Sequence, residues 1–442
     1  MNKKVKVCDA ICGAGKTQGC IDMINKDDRN RYVFITPYLD EVERIKVACS
    51  SKHFVSPERR CDNRYSKLND IRTLLSKGAN VASTHALFSC YTDEIKKLIR
   101  EQEYVLILDE VIDLFQPVKL DGGDVQFLVR NNIAKKEEDA VIWDDDEYNG
   151  ILFNEIMEAS KSRNLVDYDG SFYFWSLPID VFRCFKEVYV LTYLFEYQML
   201  RYFFDANGIE YELIGTKKIG GDYRFCRIED MDRRLNLKGK IHIVESEDLN
   251  SIGDGMFSLS AKWYERALNE QGRPKIVELK NNIRKVFRKR NTGSTDRMWT
   301  TMNRFKGYLK GKGYSNGFIT FNKRATNNFA QRHTLAYCVN VFMMPWMRNY
   351  LIKIGAKDIN QDMYALSVLI QWVFRSAVRK GEEVWLYVPS KRMRTIFKRW
   401  LDNLAKGEDL RELKYVATKM SKTEKTNHAI CKALRERRRA ER

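Results

Sequence analysis

The segment AICGAGKT, from Ala10 to Thr17, constrains this chain more than any other part of the sequence. It follows a short apolar run that predicts a strand, and it precedes a stretch with helical spacing. A small residue, four others and then Gly-Lys-Ser/Thr form the pattern of a loop whose backbone amides wrap around phosphate groups. Gly13 and Gly15 let the backbone approach an anion because they carry no Cβ. The segment therefore predicts a phosphate-binding loop, the alternative being an ordinary turn between strand and helix.

The last residues of this loop predict how it would hold a nucleoside triphosphate. Lys16 would reach the β- and γ-phosphates, and the Thr17 hydroxyl would bind Mg²⁺. The following helix would present its positive end to the anion. ATP and Mg²⁺ are therefore the predicted cofactors. The predicted binding residues are Gly13, Ala14, Gly15, Lys16 and Thr17.

A second apolar run, YVLIL, ends in two carboxylates, Asp109 and Glu110. Nucleotide hydrolases need such a pair at the carboxyl end of a central strand. We predict that Asp109 joins Thr17 in holding Mg²⁺, and that Glu110 orients and deprotonates the attacking water. The alternative is a buried strand whose end happens to be acidic, and the phosphate-binding loop upstream argues against it.

Composition and charge narrow the class of protein. The 442 residues give room for two or three domains, and a hydrophobic fraction of 44% is ample for packed cores. Lys and Arg number 77 against 59 Asp and Glu, and the net charge of +18 suggests a polyanionic partner, most simply nucleic acid. The ten cysteines include no Cys-x-x-Cys pair and indicate a reducing compartment. No run approaches eighteen apolar residues and the first strand starts at once, so we expect a cytoplasmic protein without a membrane span.

Alternating strand and helix patterns predict an α/β fold built from parallel sheets. The first domain is predicted to cover residues 1–207, with an insertion at about 116–186 whose acidic clusters favour solvated loops over a metal site. The pattern breaks up at 208–238, which predicts a linker. A second α/β domain is predicted at 239–405, followed by a basic tail at 406–442.

Two segments of the second domain bear on what it would bind. The run from Lys280 to Arg290 predicts a very basic helix, which is the best candidate for contacts with a phosphate backbone. A plain solvated face is the alternative. The run from Gly317 to Phe321 predicts a strand.

A third motif, QWVFRSAVR, lies within a helix predicted to run from Asp362 to Arg379. Its spacing of four would place Gln371, Arg375 and Arg379 along one helix face. Planar guanidinium groups stabilise the charge on a transferring phosphoryl group. We therefore predict that these three residues and Glu110 are catalytic, the alternative being a basic surface helix.

Together these motifs resemble those of superfamily 2 helicases, the class that includes the DEAD/DEAH-box enzymes. The closer likeness is to phage-encoded DNA helicases, which share stretches like Leu-Thr-Tyr at Leu191, Arg-Ala-Thr-Asn at Arg324 and Gln-Trp-x-x-Arg-Ser-Ala-x-Arg at Gln371. The resemblance covers roughly residues 1–405. It implies two RecA-like domains flanking an ATP cleft.

The same resemblance implies which residues contact nucleic acid. Thr36 and Pro37 match a motif at the end of a strand, and Thr84 with His85 matches a second such motif. A third group matches the fifth motif of the class. Its residues are Arg324, Thr326 and Asn327.

Three departures from the helicase pattern stand out. Asp-Glu is followed by Val111 and Ile112 rather than by Ala-Asp or a pair containing His. Arg379 comes one residue later than the second arginine of the usual motif. The loop starts too near the N-terminus for a glutamine motif that reads adenine, so we expect several nucleotides to be accepted.

The predicted function is that of an ATP-dependent helicase or translocase acting on DNA, in preference to RNA, with a single-stranded or forked substrate. The resemblance implies a bacterial host cytoplasm as the setting, with replication or recombination proteins as partners. One alternative is a nucleic-acid-dependent ATPase switch that remodels complexes without unwinding. A packaging-motor ATPase with a terminal nuclease is another, but its nuclease would need a cluster of acidic metal ligands in the second half, and none follows the predicted strand ends there.

Overall fold

The computed structural model describes residues 4–58, 67–120, 122–144, 156–157, 160, 164–170, 172–231, 237–269, 273–322 and 329–408. The chain divides into two units, each with its own core. The first unit comprises Met1–Asp232 and Met344–Ile359, and the second comprises Arg233–Met343 and Asn360–Arg442. The predicted basic tail at 406–442 lies almost entirely outside the described residues.

A seven-stranded sheet forms the centre of the first unit, in the order β12-β11-β1-β10-β4-β2-β3. Its strands are β1 (Val5–Asp9), β2 (Tyr32–Thr36), β3 (Val81–Thr84), β4 (Val105–Asp109), β10 (Glu187–Thr192), β11 (Tyr211–Ile219) and β12 (Asp222–Arg227). All neighbours pair in parallel except β11 and β12, which form an antiparallel hairpin. The apolar runs of β2 and β4 are buried along almost their whole length, as expected of a parallel sheet covered on both faces.

Helices of the first unit also contribute buried side chains to its core. They are α1 (Lys16–Asn25), α2 (Leu39–Ala48), α3 (Lys67–Ser76), α4 (His85–Phe88), α5 (Asp93–Glu101), α6 (Gly122–Arg130), α7 (Asp180–Arg183), α8 (Met199–Ala206) and, much later in the chain, α13 (Pro345–Lys353). Helix α5 shows why these segments form: the Thr92 hydroxyl accepts a hydrogen bond from the Ile95 amide at its start. Ile95 and Ile99 then face the core one turn apart.

The predicted insertion forms a second sheet, which is antiparallel and has the strand order β5-β9-β8-β7-β6. Its strands are β5 (Phe115–Val118), β6 (Ala134–Glu137), β7 (Ala140–Trp143), β8 (Leu165–Asp167) and β9 (Tyr173–Ser176). Val125 and Leu128 of α6 pack against Val141, Leu165 and Tyr173 in a separate small core. The insertion is therefore a packed subdomain, and not a loop.

Two predicted domain boundaries are wrong. The interval 208–238, predicted to be a linker, contributes β11 and β12 to the central sheet. Residues 344–359, predicted to belong to the second domain, return to the first unit, where Trp346 and Tyr350 pack on Phe174 of β9. These errors share a cause, because both segments are held by residues distant in the chain.

The second unit is built on a four-stranded parallel sheet with the order β13-β16-β15-β14. Its strands are β13 (Ile241–Ile243), β14 (Arg297–Thr300), β15 (Thr334–Tyr337) and β16 (Val384–Tyr387). Its helices are α9 (Glu247–Asn250), α10 (Ala261–Ala267), α11 (Arg273–Lys289), α12 (Lys306–Leu309), α14 (Gln361–Val373) and α15 (Lys391–Lys406).

The strand predicted from Gly317 to Phe321 does not form. A short 3₁₀ turn, Ser315–Gly317, lies there, and Phe318 makes one isolated bridge to Trp299 of β14. Gly317 lies so close to the Arg297 backbone that a Cβ on it would overlap the Arg297 carbonyl. The apolar pattern thus reflects burial of Ile319, whereas the pairing needed for a strand ends after one bridge.

His333, just before β15, gives the second unit a pH-dependent contact. Its ring nitrogens lie 2.6 Å from an Asp296 carboxylate oxygen and 2.7 Å from a Glu382 oxygen. Partial burial lowers the pKa of His333, but the hydrogen bonds to Asp296 and Glu382 outweigh that effect, so its pKa is raised.

We expect His333→Gln to lower stability in acid only. A group with a raised pKa in the folded state stabilises fully below its unfolded pKa, about 6.5 for His, and this stabilisation is lost as pH rises through the folded pKa. The site is partly open to solvent, so the loss should be on the order of 1 kcal/mol or less. Urea unfolding of wild type and variant at pH 5.5 and well above neutrality measures it. An equal difference at both pH values would contradict the assignment.

Candidate nucleotide-binding site

The predicted phosphate-binding loop connects β1 to α1, as the sequence pattern requires. Gly13 and Gly15 have φ values of 87° and 82°, in the left-handed region that glycine adopts without strain. The Ala14 amide donates to the Ile11 carbonyl at 3.1 Å, which closes the loop, and α1 begins at Lys16. The amides at the start of α1 therefore lie at the loop and supply the positive end of a helix dipole.

The Lys16 side chain folds back across its own loop. Its Nζ donates to the Ala10 carbonyl at 2.6 Å and to the Ile11 carbonyl at 3.1 Å. Both acceptors are neutral backbone groups of the loop. The ammonium group of Lys16 therefore lies within the loop. An anionic phosphate there would be a stronger hydrogen-bond partner for it than these neutral carbonyls.

Asp109, at the end of β4, lies beside Thr17. One strand, β10, separates β4 from β1 in the sheet, and the Thr17 hydroxyl donates to the Asp109 carboxylate with distances of 3.1 and 3.3 Å to its oxygens. Burial raises the pKa of Asp109 to about 7, and the neighbouring Glu110 carboxylate adds to this, while Lys16 and Thr17 act against it. The fold thus brings together two residues that lie far apart in the sequence.

Glu110 follows Asp109 with an unusual backbone. Its φ of 63° lies in the left-handed region, which is strained for a residue with a Cβ. The Glu110 amide donates to the Leu191 carbonyl of β10 at 3.0 Å. This bond to the next strand holds the strained turn at the carboxyl end of the sheet.

The donor set near Thr17 fits Mg²⁺ bound together with a nucleotide. Among the described residues, no three His, Cys, Asp or Glu side chains cluster closely enough to hold a metal ion by themselves. Mg²⁺ commonly takes only one or two protein oxygens and completes its shell with water and phosphate oxygens. Thr17 and Asp109 present two such oxygens side by side.

The β11–β12 hairpin holds this loop from its outer side, a contact that the sequence analysis missed. The Thr216 hydroxyl donates to the Ala14 carbonyl at 2.7 Å, and the Tyr223 ring lies directly against Gly15. The Tyr223 amide donates to the Asp22 carboxylate of α1 at 2.8 Å. The Gly220-Gly221 pair, followed by the alternation of polar residues with Tyr223 and Phe225, was the signal that could have revealed the hairpin.

Asp9 links the loop to the end of β10. Its carboxylate accepts hydrogen bonds from the amides of Leu194 at 2.7 Å and Phe195 at 3.2 Å. Burial raises the pKa of Asp9 to about 6, against the effect of these two bonds and of Lys16. The segment after β10 is therefore tied to the residue that precedes the phosphate-binding loop.

The residues predicted to contact nucleic acid in the first unit occupy varied environments. Thr36 is fully buried, and its hydroxyl engages the Tyr38 carbonyl at 3.2 Å. His85 is 9% exposed, with Nε2 2.9 Å from the Asp109 carbonyl oxygen. These two side chains are enclosed, whereas Pro37 and Thr84 are half-buried. The third predicted group, Arg324, Thr326 and Asn327, lies outside the described residues.

The third motif does not form one helical face. Helix α14 ends at Val373, so only Gln371 is helical, and Arg379 lies in a 3₁₀ turn, Ala377–Lys380. The Ser376 hydroxyl donates to the Val373 carbonyl at 2.6 Å, and the Ala377 amide donates to Arg332 instead of continuing the helix. Arg375 is 5% exposed, whereas Arg379 is exposed.

Solved structures of similar fold include two helicases. The protein is similar to an XPD helicase at 10% identity, with a TM-score of 0.49 over 92% of this chain and 95% of that one. It is also similar to Xpd4 of S. tokodaii at 12% identity, with a TM-score of 0.46 over 94% of this chain and 96% of that one. No helix in the described part of the chain is long and apolar enough to cross a membrane.

Sequence comparison is more specific. Residues 235–401 match the YonV C-terminal Rossmann-like domain, and residues 115–175 match the YonV middle domain. The chain is 38% identical over 416 residues to the SPbeta prophage-derived uncharacterized protein YonV of Bacillus subtilis (strain 168), covering 91% of this chain and 99% of that protein. The match at 115–175 corresponds to the inserted antiparallel sheet. The chain therefore belongs to the YonV family.

Proposed function

We propose that this protein is an ATP-dependent nucleic-acid helicase or translocase of superfamily 2, with DNA as its expected track. The observation that supports the proposal most is the hydrogen bond between Thr17 and Asp109. It joins a glycine-rich loop at a helix N-terminus to a carboxylate at the end of another strand. Such a pairing has no evident use in a binding module that lacks nucleotide chemistry, and it is what Mg²⁺-dependent triphosphate hydrolysis needs.

In this proposal the loop binds the triphosphate and the carboxylates divide two tasks. The amides around Gly13 and Gly15 donate to phosphate oxygens, and Lys16 exchanges its carbonyl partners for the β- and γ-phosphates. Thr17 and Asp109 would hold Mg²⁺, which neutralises charge on the phosphates when bound. Glu110 orients a water and accepts its proton as the water oxygen attacks the γ-phosphorus and the bond to the β-phosphate oxygen breaks.

The motif that begins at Gln371 supplies the other proposed catalytic residues. Gln371, Arg375 and Arg379 are proposed to act on the same nucleotide, with the arginines stabilising charge on the transferred group. Arg379 is the better placed of the two arginines for direct contact, because it is exposed within its own unit.

The proposed partner follows from the charge of the chain and from the origin of its relative. A net charge of +18 favours a polyanion, and phosphate contacts would make its binding sensitive to salt and weakly specific in sequence. The relative in Bacillus subtilis is prophage-derived, which suggests a phage genome in a bacterial cytoplasm as the setting. Replication or recombination proteins are the proposed partners in that setting.

ATP turnover in the presence of different polymers tests the proposal. We expect single-stranded DNA to stimulate phosphate release by wild-type protein at least about 10-fold, with weaker effects of single-stranded RNA and duplex DNA. Lys16→Ala should show no turnover with any polymer, because the loop would lose its cation for the phosphates. Turnover that no polymer changes would contradict a nucleic-acid-driven motor and favour a switch. Activity that persists in Lys16→Ala would exclude this loop as the site.

A further inference from the structure

The outward face of helix α11, Arg273–Lys289, carries a row of cations on a rigid support. The inner face of the helix is anchored in the core of the second unit. The anchoring residues are Ile276, Leu279, Ile283, Val286 and Phe287. They fix the rotation of the helix about its axis, so most of the intervening positions face outward, whereas Asn282 is buried and donates to the Leu249 carbonyl.

Those intervening positions line an open groove of about 910 Å³. The lining residues are Pro274, Val277, Glu278, Asn281, Asn282, Arg284, Lys285 and Arg288. Asn281, Arg284, Lys285 and Arg288 recur at spacings of three and four, so they follow one another along a single face. Glu278 is the one carboxylate in this lining, and it lies at least one turn from the three cations.

The cations of this face have no acidic partner among the described residues. In the described part of the chain, Arg284, Lys285 and Arg288 form no ion pair, whereas cations elsewhere in the unit do, such as Arg304 with Glu265 and Lys398 with Glu245. Like charges four residues apart, as at Arg284 and Arg288, destabilise an isolated helix. The core contacts offset that cost and leave the face prepared for an anion.

We propose that Asn281, Arg284, Lys285 and Arg288 bind the phosphate backbone of a single-stranded nucleic acid. Arginine and lysine bind phosphate oxygens, and an asparagine amide can donate to the same backbone without reading sequence. The four positions span seven residues, about 10 Å along the helix axis, so the long side chains can reach neighbouring phosphates of one strand. The inference rests on the proposed function only in taking nucleic acid as the partner.

Anisotropy titrations of a labelled 20-nucleotide strand, without ATP, test this assignment on the full chain. The variant combines Arg284→Gln, Lys285→Gln and Arg288→Gln, which preserve helix propensity. A control variant combines Lys77→Gln, Arg100→Gln and Arg130→Gln, three exposed cations of the first unit. Both variants lose three positive charges. Thermal unfolding confirms that each remains folded.

We expect the α11 variant to bind single-stranded DNA roughly 10- to 100-fold more weakly at about 0.1 M salt. The slope of log K against log salt should fall by about 2, because each phosphate contact contributes about 0.7 for single strands. The control variant should keep nearly the wild-type slope. Equal slopes in the two variants would overturn the assignment, since a merely structural role of α11 would not change the number of counterions released.

Further arms separate this inference from the proposed function. Titrations with single-stranded RNA and duplex DNA of the same length show whether the α11 surface binds any phosphate backbone or prefers one kind of nucleic acid. Polyglutamate that competes better than every nucleic acid would overturn nucleic acid as the partner. If both variants bind as tightly as wild type and polymer still stimulates ATP turnover, the α11 assignment is wrong while the proposed motor stands. Absence of binding by wild type to any strand would instead contradict the proposed nucleic-acid motor.

Discussion

Replacement of Glu110 by glutamine is expected to lower ATP turnover roughly 10²- to 10⁴-fold, the usual contribution of a general base. Glutamine keeps the size of the side chain but cannot accept the proton of the attacking water. The strained backbone of Glu110, with φ 63°, and its bond to Leu191 should persist, because both belong to the backbone. ATP binding should therefore remain within a few-fold of wild type. Phosphate release and calorimetric titration of ATP with Mg²⁺ measure the two effects separately.

A matched control distinguishes loss of the base from loss of one negative charge. Glu212 is an exposed carboxylate on β11. Its replacement by glutamine removes one negative charge, as Glu110→Gln does. Glu212→Gln should turn over ATP like wild type. Glu110→Gln that hydrolyses ATP at the wild-type rate would show that another group deprotonates the water. Loss of both binding and turnover would point instead to a structural role for the Glu110 carboxylate.

Local patterns in the sequence were enough to predict the elements that carry this candidate site. The loop before α1 has fixed spacing, and β4 is a short run of buried apolar residues that ends in Asp109 and Glu110. Parallel strands bring their carboxyl ends to one edge of a sheet, so the loop and the acidic pair had to converge there. The hydrogen bond from Thr17 to Asp109 agrees with that expectation.

Contacts between distant residues explain what the sequence did not reveal. The hairpin of β11 and β12 is polar along much of its length, so its membership in the sheet depends on pairing with β1. Helix α13 lies between two segments of the second unit in the sequence, but it belongs to the first unit. There Trp346 and Tyr350 pack on the inserted sheet. Helix α14 ends where the Ser376 hydroxyl donates to the Val373 carbonyl and the Ala377 amide donates to the Arg332 carbonyl. The spacing of Gln371, Arg375 and Arg379 predicts a longer helix, because it contains no sign of these contacts.

The hairpin leads to the second large prediction, which concerns Gly15. The φ of Gly15 is 82°, and a Cβ on this residue would overlap the Tyr223 ring. For an alanine there, the left-handed backbone costs about 1–2 kcal/mol and the overlap in a packed site typically costs about 1–3 kcal/mol. We expect Gly15→Ala to weaken ATP binding by about 2–5 kcal/mol, which is roughly 30- to 5000-fold. Equilibrium titration of ATP with Mg²⁺ measures the loss.

Two further variants separate the two costs. Gly19 lies one turn along α1, and a Cβ there would meet only ordinary contacts at 3.7–3.8 Å, so Gly19→Ala should bind ATP like wild type. Gly15→Ala combined with Tyr223→Ala should recover part of the affinity, because the overlap is gone while the backbone strain remains. Full affinity in Gly15→Ala alone would mean that the loop binds nucleotide in another backbone conformation. No recovery in the double variant would mean that Tyr223 itself helps to hold the phosphate-binding loop in place.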